Sequence, residues 1–281
     1  MEKSLIIIPQ KVDSSKAKNL YKEFLFAWKK TGKKEKIQWS IDSTKLFGKV
    51  ILRRGRGFVE FFQYLTKNFG IELFEFGKSA YEKRVISHLQ NRSSKLIKGI
   101  RNGLKHSRAV IKNILYLLKN KPEETGPVIL LGILGFFVGA GIDRSDAKTW
   151  YDLDGGVPDL DIAVGGLGNH RSVFFHSIIS AAVLETMVFS MVNATKIIHS
   201  NLPEKHDSFW DNIVNKTDWA TAFASGACTG IAYHLLIDGT IDGRKALTDF
   251  PFSMPMEGHN AFFVTNAVIE GIDITKKGKI D

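Results

Sequence analysis

The residue types able to do chemistry fall into three short clusters, all in the C-terminal half of the chain. The first is Asp152-Leu153-Asp154-Gly155-Gly156-Val157-Pro158-Asp159-Leu160-Asp161, four carboxylates among Gly and Pro within ten residues. Carboxylates this close repel one another unless a cation sits between them. Asp159 and Asp161, two apart in an extended segment, are expected to point to one side. An EF-hand loop is not expected, because no bidentate Glu follows at its twelfth position. The second cluster is Asn169-His170-Arg171-Ser172, leading to His176-Ser177. On a single helix these two His would lie about 240° apart. They converge if His170 is in a loop and His176 is on the first turn of a helix capped by Ser172. The third cluster is His234-Leu235-Leu236-Ile237-Asp238-Gly239. Its His and Asp, at i and i+4, share one helix face.

Each cluster also has a plain structural reading. The Asp loop reads as a solvated acidic turn. His176, flanked by Phe174, Phe175, Ile178 and Ile179, reads as a hydrogen-bonded core residue. Gly239 reads as a helix C-cap, with His234 in the last turn facing the negative end of the helix dipole. Taken together, the three clusters propose a shared His/Asp metal site. Its ligands would be Asp159, Asp161, His170, His176, His234 and Asp238. Mixed imidazole and carboxylate donors without thiolate suit Zn, Mn or Fe better than Ca. A metal so held lowers the pKa of bound water toward neutrality. Arg171 is then placed to clamp an anionic oxygen such as a phosphate. Ser177 would assist as a hydrogen bonder or start the helix.

Pro158-Asp159-Leu160-Asp161, His170-Arg171 with His176-Ser177, and Gly230 through His234-Leu235-Leu236 to Asp238 occur in that order. This pattern resembles the bacterial membrane-bound metal-dependent hydrolases often called YdjM-like. The resemblance covers about residues 156–239, under a third of the chain. It implies a membrane-embedded α-helical protein with a metal site at Asp159, Asp161, His170, His176, His234 and Asp238, and with Arg171 in the same motif. Phe175 stands where that family usually has Thr. The N-terminal half has no counterpart in it.

The elements that must position these residues are mainly helical, so the expected fold class is all-α. Ser14 or Ser15 caps a helix to about Lys30, and Thr31–Lys34 reads as a loop. Residues 37–52 are ambiguous between helix and short strands, the strands falling at Gln38–Ile41 and Lys49–Leu52. From Ala80 to Leu118 apolar residues recur every three or four positions, with Lys and Arg on the opposite face. Asn120-Lys121-Pro122-Glu123-Glu124-Thr125-Gly126 is the clearest boundary, separating a region 1–121 from a region 122–281. The run Pro127–Ile142 contains no charged residue. It is a membrane-entering or buried helix whose Gly135 and Gly139 form a small-residue face suited to helix pairing, including pairing between copies. A long Gly- and Asp-rich loop follows. Further helices are expected over 173–200 and 220–237, with a polar linker over 208–218 and a short last helix over 260–270.

The charge of the whole chain, +10 over 281 residues, conceals a division. Residues 1–121 carry 28 Lys and Arg against 9 Asp and Glu, whereas residues 122–281 carry 11 against 20. The basic half calls for an anionic partner, and a membrane surface is favoured because Lys and Arg lie beside Phe, Tyr and Leu along helices. The positive-inside rule places that half in the cytoplasm, beside the apolar run. Nucleic acid is the competing partner, with Arg53-Arg54-Gly55-Arg56-Gly57 as its best patch, although no defined nucleic-acid motif is present. Cys228 is the single cysteine, which excludes an intramolecular disulfide and a Cys-based zinc site.

The leading expectation is a membrane-associated metal-dependent hydrolase of a phosphoester or other anionic substrate. Two alternatives stand beside it. One is a membrane-inserting effector acting through its glycine-rich helix without catalysis. The other is a nucleic-acid-binding protein, and a soluble cytoplasmic location is the alternative to membrane association.

Overall fold

Ser14 opens α1 (Ser14–Lys30), which ends on Lys29 and Lys30, cations suited to the negative end of the helix dipole. Gly32 then starts α2 (Lys33–Tyr81), where its backbone N–H donates to Glu35 Oε2 at 2.9 Å. In this computed structural model, residues 14–143, 153–165, 171–241, 246–251 and 253–277 are described. The order continues through α3 (Val85–Asn120), α4 (Pro122–Ala140), β1 (Gly141–Asp143), β2 (Asp154–Gly155), α5 (Leu160–Gly165) and α6 (Ile178–His199). It closes with α7 (Ser208–Asn215), α8 (Thr217–Thr240) and α9 (Met256–Lys277). The fold is all-α as expected, with β1 and β2 forming a small antiparallel pair.

Residues 37–52, ambiguous in sequence between helix and short strands, are part of α2. Their Val and Ile residues favour strands weakly, but the tertiary partner decides. Val50, Arg54 and Gly57 are buried at helical spacing, and Trp39 Nε1 donates to Ser190 O of α6 at 2.9 Å. The polar linker expected over 208–218 contains α7, whose Trp210 is buried with Ala27, Ile198 and Leu202. The last helix is longer than expected, running over Met256–Lys277. The boundary near Pro122 is a break at Lys121 between α3 and α4.

Helices α4 and α8 approach backbone to backbone. A Cβ on Gly135 would lie 2.2 Å from Phe223 O, and one on Gly139 2.0 Å from Ala227 O. The relation is reciprocal: a Cβ on Gly226 or Gly230 would meet Gly132 O or Phe136 O at 2.0 and 2.1 Å. Only glycine permits such contact, as in small-residue helix pairs of membrane proteins. The Gly135 and Gly139 face is therefore filled by α8 of the same chain. Gly239, expected as a C-cap, lies inside α8, which runs on to Thr240. It makes room for α9, because a Cβ there would lie 2.8 Å from Val264 Cγ2 and 3.0 Å from Asn260 O.

Three helices, α4, α6 and α8, are long and apolar enough to cross a membrane by length and composition. α4, at 19 residues, spans about 28 Å, close to a hydrocarbon core. Its glycine-free face exposes Leu130, Ile133, Leu134 and Phe137.

The basic half is tied to these helices by a buried ion network. Arg54 is fully buried and donates to Glu270 of α9 through Nε and Nη2, both at 2.7 Å, and to Glu185 of α6 through Nη1 at 2.8 Å. Arg53 bridges Glu185 and Asp273. Burial alone would work against the Arg54 charge, but its paired hydrogen bonds to Glu270 and its proximity to Glu185 raise its pKa above the ordinary arginine value. Two of the three arginines in the Arg53–Gly57 patch thus face carboxylates, while Arg56 is exposed.

Candidate metal centre

Three segments meet at one end of the α4, α6 and α8 group. α8 supplies His234 and Asp238 on one face, as their spacing predicts. α4 ends there at Ala140, whose carbonyl lies 3.3 Å from His234 Nδ1. The chain just before α6 supplies His176. The expected boundary at Ser172 is corrected: Ser177 is the N-cap of α6, accepting from Ile179 N at 3.2 Å. His176 therefore sits in the turn preceding the helix, where its backbone N–H donates to Ser172 O at 2.9 Å.

That turn is held from several sides. Arg171 adopts the left-handed region at φ 70°, which is uncommon for a non-glycine residue. Its carbonyl accepts from Thr248 N at 3.2 Å. Asp249 Oδ1 accepts from Val173 N at 2.6 Å, and Asn266 Oδ1 of α9 accepts from Ile178 N at 3.0 Å. Residues 246–251 and α9 thus fix the position of His176. Nothing in local sequence spacing links Asp249 or Asn266 to the His motif, because both act across the fold.

Four side chains converge. His176 Nε2 lies 3.7 Å from Asp159 Oδ1 and 3.7 Å from Asp238 Oδ2. His234 Nε2 lies 3.8 Å from Asp159 Oδ1 and 3.4 Å from Asp238 Oδ2. All four side chains are at least nine-tenths buried. Donors each about 2.1 Å from a tetrahedral ion are spaced about 3.4 Å apart. The observed separations are close to that edge length and longer than ordinary hydrogen bonds. Asp238 Oδ2, fully buried, makes no hydrogen bond among the described residues. One donor atom each from Asp159, His176 and His234 lies within 4.8 Å of the others, so these three could hold a divalent metal, with Asp238 Oδ2 beside both imidazoles. The C-terminal ends of α4 and α8, the negative ends of their dipoles, lie at the same place.

Asp161 has a different position from the one expected. Residues 158–159 form a turn and Asp161 lies in the first turn of α5, so the segment is not extended and the two carboxylates do not share a side. Asp161 Oδ2 accepts from Ser172 N at 2.9 Å and lies 3.3 Å from His176 Nδ1, the ring nitrogen facing away from Asp159. Each histidine therefore has its Nδ1 beside a fixed acceptor, Asp161 or the Ala140 carbonyl, and its Nε2 directed inward. This is the arrangement by which an outer acceptor sets the tautomer of a metal-binding imidazole. Asp159 Oδ2 accepts from Gly155 N at 2.6 Å. Burial alone would raise the Asp159 carboxyl, but the contact with His176, the neighbouring His234 and the Gly155 N–H hold it well below the usual carboxylate range.

Arg171 Nη2 lies 3.8 Å from Asp238 Oδ1, so its guanidinium borders the cluster. Ser177 Oγ caps α6 and donates to Phe174 O at 3.4 Å, with no hydrogen bond to the His/Asp side chains among the described residues. His170 lies outside the described residues. Comparisons with protein-family models, curated proteins and solved structures give no match for this chain.

Proposed function

We propose that this chain is a membrane-associated, metal-dependent hydrolase acting on a phosphoester or another anionic substrate. The observation that supports this best is the convergence of Asp159, His176, His234 and Asp238, with both imidazole Nδ1 atoms turned to fixed acceptors. A divalent ion held there would supply Lewis acidity and an activated water near neutral pH. Asp161 and the Ala140 carbonyl would keep both Nε2 atoms directed at the ion. Arg171 would bind the anionic oxygens of the substrate and balance charge that builds on them. The order of motifs shared with YdjM-like hydrolases points the same way.

Membrane association is proposed through two surfaces. The exposed apolar side of α4 would meet lipid chains. Beyond its contact with α6 and α9, α2 exposes Phe62, Phe69 and Phe74, and α3 exposes Leu89 and Ile97 beside Arg92, Lys95 and Lys98. These faces suit an anionic lipid surface, with the basic half on the cytoplasmic side.

The test is metal content after a brief chelator wash, together with hydrolysis of bis(p-nitrophenyl) phosphate by tag-free protein in detergent. Wild type is expected to retain one tightly held metal and to turn over substrate. His176→Ala and His234→Ala should lose both properties. A wild-type protein that binds no metal on reconstitution, or variants matching wild type in both assays, would refute the proposal.

A further inference from the structure

A second group of ligating side chains lies at the other end of α6. His199 is in the last turn of α6, His206 is in the connection that follows, and Asp211 is in the first turn of α7. His199 Nε2 lies 2.8 Å and His206 Nε2 3.1 Å from the same oxygen, Asp211 Oδ1. The two rings stand edge to face with centroids 5.5 Å apart. One donor atom from each residue falls within 4.8 Å of the others. α6 has 22 residues, so about 33 Å of helix separates this group from the buried centre.

An ion pair alone needs one histidine. Here two imidazoles turn the same nitrogen toward one carboxylate oxygen. His206 Nδ1 lies 2.9 Å from Pro203 O. A carbonyl only accepts, so Nδ1 donates to it and the ring is fixed with Nε2 toward Asp211 Oδ1; a bound metal would take the place of the proton that Nε2 otherwise donates to that carboxylate. The C-terminal end of α6 adds the negative end of a helix dipole. The base is rigid. Glu23 of α1 accepts from Asp207 N at 3.1 Å and from Trp210 Nε1 at 2.8 Å, and Trp210 and Leu202 are buried beneath. The side chains of His199, His206 and Asp211 are 33%, 18% and 54% exposed, so solvent reaches them. A tetrahedral ion needs donor pairs about 3.4 Å apart, so the two pairs on Asp211 Oδ1, at 2.8 and 3.1 Å, must open by about 0.6 and 0.3 Å to admit one, with a fourth position left for water.

We propose that His199, His206 and Asp211 form a second, solvent-accessible site for a divalent transition metal of the Zn²⁺ and Co²⁺ class. Two imidazoles and one carboxylate select such ions over Ca²⁺ and Mg²⁺. The proposal is independent of the hydrolase reading.

The experiment titrates Co²⁺ into tag-free, metal-stripped full-length protein in detergent and follows the visible absorption of low-symmetry Co²⁺. Zn²⁺ stoichiometry is measured in parallel by equilibrium dialysis. Wild type is expected to bind one more equivalent than His206→Ala or Asp211→Asn, and these variants should weaken that equivalent about tenfold or more. His176→Ala should keep this equivalent. If the buried centre binds no metal, wild type and His176→Ala will match while His206→Ala still loses one equivalent, so the two proposals fail separately. In wild type alone, Zn²⁺ should protect His199 and His206 from acylation by diethyl pyrocarbonate. Equal binding by wild type, His206→Ala and Asp211→Asn, or acylation unaffected by Zn²⁺, would overturn the second site.

Discussion

Asp161 Oδ2 faces His176 Nδ1 at 3.3 Å, on the opposite edge of the ring from Asp159. The two aspartates of one short motif therefore lie on opposite edges of the ring, and in the proposed metal site Asp159 would face the ion and Asp161 would orient the imidazole. Asp161→Ala should weaken metal affinity about 10–100-fold while leaving the equivalent recoverable at saturating metal. Asp159→Ala should remove that equivalent at any practical concentration. Competition with a chelator of known affinity separates the two outcomes, and equal effects would contradict the division.

Ser177 caps α6 rather than facing the cluster. Ser177→Ala should lower stability by about 1 kcal/mol, the usual cost of losing an N-cap. Metal content should stay at the wild-type value. Thermal unfolding in detergent and metal analysis of the same sample check both parts.

What could be foreseen follows the range of the interactions involved. His234 and Asp238 were legible because helical periodicity alone puts i and i+4 on one face. The two-residue spacing of Asp159 and Asp161 suggests a shared side, but α5 begins between them, a change from turn to helix that such alternation does not register. The roles of Asp249, Asn266 and the Ala140 carbonyl were illegible, since each reaches the site from a distant segment. Arg53 and Arg54 illustrate the same limit. A run of basic residues in an amphipathic helix looks solvated, and only the approach of Glu185, Glu270 and Asp273 shows otherwise. Trp210 reads as part of a polar linker because the partners that bury it, Ala27 of α1, Ile198 of α6 and Leu202, are brought to it by the fold and not by its neighbouring sequence.

The Arg54 network yields a stability test. Arg54→Met leaves Glu270 and Glu185 short of a buried partner and should cost about 3–5 kcal/mol. Arg54→Lys should recover only part, because one ammonium does not reproduce the forked guanidinium contacts. Arg56→Ala, on the exposed side of the same turn, should stay within about 0.5 kcal/mol of wild type. Unfolding midpoints of the three variants decide the matter, and a wild-type midpoint for Arg54→Met would be the contrary result.

The α4 and α8 contact makes a graded prediction. Gly135→Ala and Gly139→Ala place a methyl against backbone and should each cost about 1–3 kcal/mol. Gly132→Ala meets only Ala222 O at 3.8 Å, an ordinary contact, and should be tolerated. Equal melting behaviour of all three would mean that the helices are farther apart than described.

The ion network also bears on how the chain comes to be made. Arg54 and Glu270 are 216 positions apart, so one partner is synthesised early and the other near the end. Until α9 emerges, Glu185 of α6 is within reach of Arg54, but the two hydrogen bonds to Glu270 cannot form. Contacts this distant in sequence are slow to form. Assembly of the basic half onto the apolar helices is therefore a late event, completed only after synthesis reaches the last helix.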